Sequence, residues 1–106
     1  MISFRFKVGN SFLGYMSRPI TIPKSQVNYK DIEAEQLHSD NVRIICPNGE
    51  LMSGSIIYAK AGYGPYYQIK VEGKDNDPLS RLDYGQILNV QVERTGRITE
   101  VRLDKA

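Results

Sequence analysis

The fold class is decided by the stretch VRIICPNGELMSGSIIY, residues 42–58. Its two arms are rich in β-branched and other apolar residues, and Pro47-Asn48-Gly49 separates them, a pattern typical of two strands joined by a tight turn. Asn48 and Gly49 both tolerate positive φ, so we predict a two-residue hairpin turn there. The first arm ends at Cys46, which we place inside a strand.

Similar strand patterns continue on both sides of this hairpin. Ile2, Phe4, Phe6 and Val8 alternate with polar residues, which predicts a strand with one buried face. We expect further strands at 20–22, bounded by two prolines, and at 66–72, 86–93 and 97–103. The last two form another hairpin across residues 94–96, and a one-residue slip between Ile98 and Val101 suggests a β-bulge.

The remaining segments predict short helices and loops. Ser25 is a good N-cap, and we expect one helix within residues 26–38 behind it. Asp77-Pro78 predicts one or two helical turns up to Tyr84. Residues 9–18 lack periodicity and are interpreted as a loop or a bent hairpin arm, and residues 59–65 as a flexible loop.

These elements together predict a single domain over residues 1–106 of mainly β class. About seven strands and two short helices point to an open or pseudo β-barrel, whose nearly closed sheet leaves few exposed strand edges. A chain of this length is expected to form one hydrophobic core.

Composition and the pattern of residues 1–8 indicate the cellular compartment in which we expect the protein. Hydrophobic residues make up 41% of the chain, and no run approaches the roughly 20 apolar residues of a membrane span. Residues 1–8 alternate in polarity, unlike a signal peptide. The single cysteine cannot form an internal disulfide. We therefore expect an intracellular protein, cytoplasmic or, in a eukaryote, nuclear, with no membrane partner.

The sequence offers little for catalysis. His38 and Cys46 are the only residues of their types, and they are not spaced as a nucleophile and base or as a zinc site. Asp75, Asp77 and Asp83 are an alternative magnesium cluster, although carboxylates are routine in polar loops. We predict a protein that is not an enzyme and has neither a metal nor a small-molecule cofactor.

Charge is distributed unevenly along the chain, although the net charge is only +2. Residues 1–30 carry five basic side chains and no acidic one. Residues 58–74 carry three lysines against one glutamate, whereas residues 31–57 are net acidic. Two separate basic segments are compatible with binding a polyanion, and equally with an ordinary solvated face.

The segment 60–68 combines glycines with Lys60, Tyr63, Tyr66, Tyr67 and Gln68. Such side chains can contact base edges, phosphates or sugars. The tyrosines can equally well cover one end of the barrel.

The order of elements resembles the B3 DNA-binding pseudobarrel, found in plant transcription factors and in recognition domains of bacterial restriction endonucleases. The resemblance rests on Arg18–Lys24 before a helix, the hairpin at Pro47–Glu50, the tyrosine-rich loop and the stretch Leu82–Val90. It implies that two loops, residues 9–18 and 59–68, grip the major groove of duplex DNA. These loops fall within the two basic segments.

The resemblance assigns roles to ten residues. Phosphate contacts are expected from Lys7, Arg18, Lys24 and Lys60, and base or sugar contacts from Asn10, Ser11, Tyr63, Tyr66 and Gln68, with Tyr15 in the first loop. A nuclease domain or a second copy of the chain is a further expected partner.

Other functions remain open from sequence alone. Ile22-Pro23-Lys24 is also similar to AbrB-type swapped-hairpin regulators, which favours a dimeric protein-interaction module. The tyrosines of the second loop favour a single-strand nucleic-acid binder. A small enzyme is the remaining alternative.

Overall fold

The computed structural model describes residues 1–106 and has the predicted mainly β architecture. Seven strands form one sheet: β1 (Ile2–Lys7), β2 (Ile20–Thr21), β3 (Ser39–Ile45), β4 (Leu51–Ala61), β5 (Gly64–Val71), β6 (Ile87–Thr95) and β7 (Ile98–Lys105). Two short helices, α1 (Asn10–Gly14) and α2 (Tyr29–Ala34), and a 3-10 turn at Pro78–Arg81 connect them. No helix is long and apolar enough to span a membrane.

The sheet curls into a nearly closed barrel with an unsealed seam. Its strand order is β1-β6-β7-β3-β4-β5-β2, and all neighbours are antiparallel except β3 and β7. The seam lies between β1 and β2. Strand β2 has only two residues because Pro19 and Pro23 flank it and neither has an N–H to donate. The barrel therefore cannot close at this point.

Side chains satisfy part of the exposed backbone at the seam. The Gln26 amide accepts a hydrogen bond from the Arg5 N–H (2.8 Å) and donates one to the Arg5 carbonyl (3.2 Å), as a neighbouring strand would do. Beyond β2, the Tyr29 hydroxyl donates to the Ile22 carbonyl (2.6 Å) and accepts from the Tyr67 N–H (3.3 Å). The Gln26 bonds cover part of the β1 edge, which would otherwise invite pairing with other chains, and the Tyr29 bonds connect Ile22 to Tyr67 where β2 has ended.

The core consists of 23 buried hydrophobic residues, which come from the inner face of the sheet and from the helices and connections packed against it. The predicted alternation in β1 is confirmed, since Ile2, Phe4 and Val8 are buried. In β7 the predicted bulge is wrong: pairing with β6 is continuous, and Thr99 rather than Ile98 takes the inward position. The sheet has its irregularity in β3 instead, between Ser39 and Val42.

Two local predictions need correction. At the β3–β4 hairpin the Cys46 N–H bonds to the Glu50 carbonyl and only Gly49 has a positive φ (+87°), so three residues rather than two form the connection. Helix α2 is capped by the Asn28 side chain, which accepts from the Lys30 N–H (3.0 Å), and not by Ser25. The Pro23 carbonyl accepts hydrogen bonds from the N–H groups of Gln26 and Val27, the two residues after Ser25. The chain therefore turns at Pro23, before the helix begins.

The two predicted DNA-gripping loops are more regular than expected. Residues 9–18, predicted as a loop, contain α1, because buried Phe12 attaches this turn to the core. The predicted flexible loop 59–65 is largely paired strand, with Ala61 opposite Gly64, so that only Gly62 and Tyr63 form the turn.

Removing the Tyr29 hydroxyl tests how the chain just beyond β2 is joined to β5. We expect Tyr29→Phe to lower the free energy of unfolding by about 1–3 kcal/mol, because a backbone donor and an acceptor lose their partner. Urea unfolding measures the change. Tyr63→Phe, which removes a solvent-exposed hydroxyl, is the control and should change stability by less than about 0.5 kcal/mol. Equal effects of the two variants would contradict the bridging role.

Candidate nucleic-acid interface

A groove of about 530 Å³ lies at the seam, and we call it the seam groove. It is lined by β1, by α1 and the residues after it, and by β2 and β5. None of its lining residues is acidic. Its polar members are Lys7, Asn10, Ser11, Ser17, Thr21, Gln68 and Lys70, and the ring of Tyr15 also lines it.

The alternation of β5 explains how this strand contributes. Tyr67, Ile69 and Val71 point inward and are buried, so Gln68 and Lys70 point outward. Gln68 pairs with Thr21 of β2, and its Nε2 donates to the Thr21 Oγ1 at 3.0 Å. The two side chains therefore form one polar unit on the outer face.

The opposite wall of the groove is α1. Phe12 is buried and its ring centroid lies 5.5 Å from that of Phe6 on β1, which anchors the helix by its apolar side. Asn10 and Ser11 lie on the exposed side of the same turn. Five residues are too few to form a stable helix alone, so tertiary contacts must hold α1 in place.

Arg18 supplies the main polar contact that holds α1. Its side chain is almost fully buried, with Nη2 3.4 Å from the Asp77 Oδ2. Nη1 donates to the carbonyls of Phe12 (3.2 Å) and Leu13 (2.8 Å), near the carboxyl end of the helix. The predicted phosphate contact of Arg18 is therefore wrong. Its guanidinium is buried against the protein and cannot reach a ligand phosphate.

Both oxygens of the Asp77 carboxylate also have partners within the protein. It accepts hydrogen bonds from the backbone N–H groups of Lys74 (3.0 Å) and Ser80 (2.9 Å) as well as facing Arg18. The loop before it packs closely on the chain after α1, since a Cβ added to Gly73 would lie 2.0 Å from the Met16 carbonyl oxygen. This contact requires glycine. Asp77 thus has no free oxygen for the magnesium cluster considered above.

The outer face continues from the groove to the end of the β4–β5 hairpin. Tyr66 lies two residues before Gln68 and so shares its side of the strand. The Tyr66 and Tyr63 ring centroids are 5.9 Å apart, and Tyr63 is 75% exposed at the turn. We call the strip from α1 through Gln68 to these two rings the outer surface.

Lys24 and Lys60 lie outside the seam groove. In β4 the residues Gly54 and Ile56 face inward, and the alternation puts Lys60 on that same side of the hairpin, opposite to Tyr66. The Lys24 Nζ lies 5.4 Å from the centroid of the Tyr29 ring. These two lysines therefore border the inner side of the hairpin and not the outer surface.

Of the three tyrosines in residues 60–68 that the alternative interpretation placed over the barrel end, only Tyr67 is buried among other rings on this inner side. The ring of Tyr67 lies 5.0 Å from those of Tyr29 and Tyr58 and 6.0 Å from that of His38, between ring centroids. Burial, and secondarily the negative charge of Glu33, raise the pKa of Tyr67. His38 serves here as a packing neighbour of an aromatic ring.

Cys46 lacks the surroundings of a nucleophile. It is buried, and the pKa of its thiol is raised to about 11 by burial first and then by the charges of Asp77 and Glu50. The thiol is therefore protonated at neutral pH. The side chains also form no group of three or more His, Cys, Asp or Glu positioned to hold a metal ion.

Of the ten residues singled out by sequence, the structure brings five to the seam groove: Lys7, Asn10, Ser11, Tyr15 and Gln68. Sequence reasoning missed Thr21, Ser17 and Lys70. Lys70 had a usable signal, because it lies two residues after Gln68 on a predicted strand and must share its face. Thr21 had none, since the register of β2 against β5 is a tertiary feature.

Arg18→Ala tests the buried ion pair. We expect the free energy of unfolding to fall by about 3–5 kcal/mol, because Asp77 keeps a buried charge without its partner. Chemical denaturation measures this loss. Lys60→Ala removes an exposed cation and should stay within about 0.5 kcal/mol of the parent protein. A loss below about 1 kcal/mol for Arg18→Ala would show that the pair does not hold the helix.

The reactivity of Cys46 tests its environment. With a thiol pKa of about 11, only about one thiol in a thousand is ionised at pH 8, so we expect slow reaction with a disulfide reagent in the folded protein. The rate should keep rising as the pH increases towards 11. The same chain in denaturant is the control and should react at once. Equal rates in both conditions would contradict the buried, protonated thiol.

No protein-family model matches this chain, and no curated protein matches its sequence. The structure shows a seven-stranded, nearly closed mixed barrel with two short helices, and no family is identified. The B3 resemblance accordingly stays a prediction from motifs and element order.

Proposed function

We propose that this protein binds double-stranded DNA in a sequence-specific manner through its outer surface. The observation that carries the proposal is the composition of the seam groove. Lys7 on β1 and Lys70 on β5 both line it, together with amide and hydroxyl side chains, and no carboxylate does. Cations suit contacts with phosphates, and neutral hydrogen-bonding groups in the same groove suit contacts with exposed base edges.

Two projections flank the groove and are suited to be the arms of this interface. One is α1, which presents Asn10 and Ser11, and the other is the β4–β5 hairpin, which presents Tyr63 and Tyr66. A two-stranded ribbon or a short helix is narrow enough to enter the major groove of B-form DNA. Both are held to the barrel, α1 through Arg18 and the hairpin through continuous strand pairing.

A second candidate, single-strand binding, is favoured by one observation. Tyr63 is 75% exposed, and its ring is tilted by 33° against that of Tyr66. Exposed aromatic rings stack on unpaired bases with little regard to sequence. The two candidate functions differ in the effect expected of a single-stranded competitor. It should displace bound duplex only if stacking of bases on the tyrosine rings dominates binding.

Selection from a pool of random duplexes tests the proposal. The purified chain is incubated with the pool at low and at moderate salt, in the presence and absence of a single-stranded competitor, and retained DNA is sequenced. We expect enrichment of one short motif that a single strand does not displace. No retention at either salt concentration would overturn the DNA proposal, and the dimeric protein-interaction module would then become the leading hypothesis.

The double variant Lys7→Ala/Lys70→Ala tests the predicted surface. If both lysines contact phosphates, affinity for the selected duplex falls, and the slope of log K against log salt becomes shallower by about 2. The control is Arg97→Ala/Arg102→Ala, which removes the same charge from exposed positions on β7 and the turn before it. If both double variants changed the slope equally, binding would reflect net charge and not the seam groove.

A further inference from the structure

We infer that Gln68, positioned by Thr21, is the residue that reads an adenine within the bound duplex. This inference rests on the proposed duplex binding and adds which base is read and by which side chain. It follows from the hydrogen bond between the two residues and from their place at the centre of the outer surface.

The first step is the orientation of the amide. The Ile22 N–H bonds to the Tyr67 carbonyl, so the neighbouring pair Thr21 and Gln68 is a non-hydrogen-bonded pair, in which opposing side chains come closest. The bond from Gln68 Nε2 to Thr21 Oγ1 restrains the orientation of the amide. One N–H and the Oε1 of Gln68 make no hydrogen bond within the protein, and Gln68 lines the groove, so both groups are available to a ligand there.

The second step is the chemistry of the free groups. A glutamine amide offers a donor and an acceptor side by side, which match the N7 acceptor and the N6 donor of adenine in the major groove. Guanine presents two acceptors at the same positions and would leave the Oε1 of Gln68 facing another acceptor. A fixed amide therefore favours adenine over guanine.

The third step separates Gln68 from the other amide in the groove. Asn10 lines the same groove, but its side chain makes no hydrogen bond in the structure and it lies on an exposed helical turn. Holding a rotatable side chain before binding reduces the entropy lost on binding. Only Gln68 is organised in this way, and Lys70, two residues along the same face, provides a cation for a nearby phosphate.

Base preference in the selected motif tests the inference. The position read by Gln68 is defined as the one whose base preference changes in Gln68→Ala. We expect adenine there in the parent protein, favoured over the other bases by about 10- to 100-fold. Gln68→Glu should move the preference to cytosine, whose N4 donates to a carboxylate. The control Gln91→Glu makes the same change at an exposed position on β6 and should leave the motif unaltered.

Thr21 is tested as a positioning residue. Thr21→Val keeps the shape of the side chain but removes the hydroxyl, and we expect the preference for adenine at that position to fall by about tenfold. Thr21→Ser retains the hydroxyl and should retain the preference. The salt dependence of binding should be the same in both Thr21 variants as in the parent protein, because no phosphate contact changes.

Each outcome bears on one of the two proposals. Loss of all duplex retention in the parent protein would overturn duplex binding, and with it the reading of adenine. Retention of a motif that Gln68→Ala leaves unchanged, or whose affected position is not adenine, would overturn the reading of adenine alone. An unchanged preference in Thr21→Val would remove Thr21 from the recognition unit.

Discussion

The buried ion pair between Arg18 and Asp77 is the constraint on which the candidate interface depends. A buried pair is tolerable only when its remaining donors and acceptors are also satisfied, and here the carbonyls of Phe12 and Leu13 and the amides of Lys74 and Ser80 do this. The pair joins two segments 59 residues apart in the chain. Because it holds the end of a helix too short to persist alone, it also sets one wall of the seam groove.

The groove exists because the barrel fails to close. Strand β2 is limited to two residues by the prolines around it, and the edge of β1 is satisfied in part by the Gln26 amide instead of by a strand. A fully closed barrel would have offered a continuous wall here. The same sequence feature, two prolines with only Ile20–Ile22 between them, thus accounts for both the shortest strand of the sheet and the groove beside it.

The strands were predictable from sequence because their side chains alternate between core and solvent, as in β1 and in the outward row of β5. The burial of Arg18 was not, since its partner lies far along the chain and nothing near it marks an arginine as internal. The cap predicted at Ser25 and the bulge predicted after Ile98 failed for a related reason. Each fits the local pattern, but Asn28 caps the helix after the turn at Pro23, and β7 pairs continuously with Thr99 facing inward.

The charges suggest how affinity and selectivity would be divided in such an interface. With Arg18 buried and Lys24 and Lys60 on the other side of the hairpin, the groove keeps two lysines. Two phosphate contacts release few counterions from the DNA. They therefore give little sequence-independent affinity at physiological salt. Discrimination must then come from neutral side chains held in fixed orientations. That requirement favours an amide already bound to a neighbouring hydroxyl over a surface dense in mobile cations.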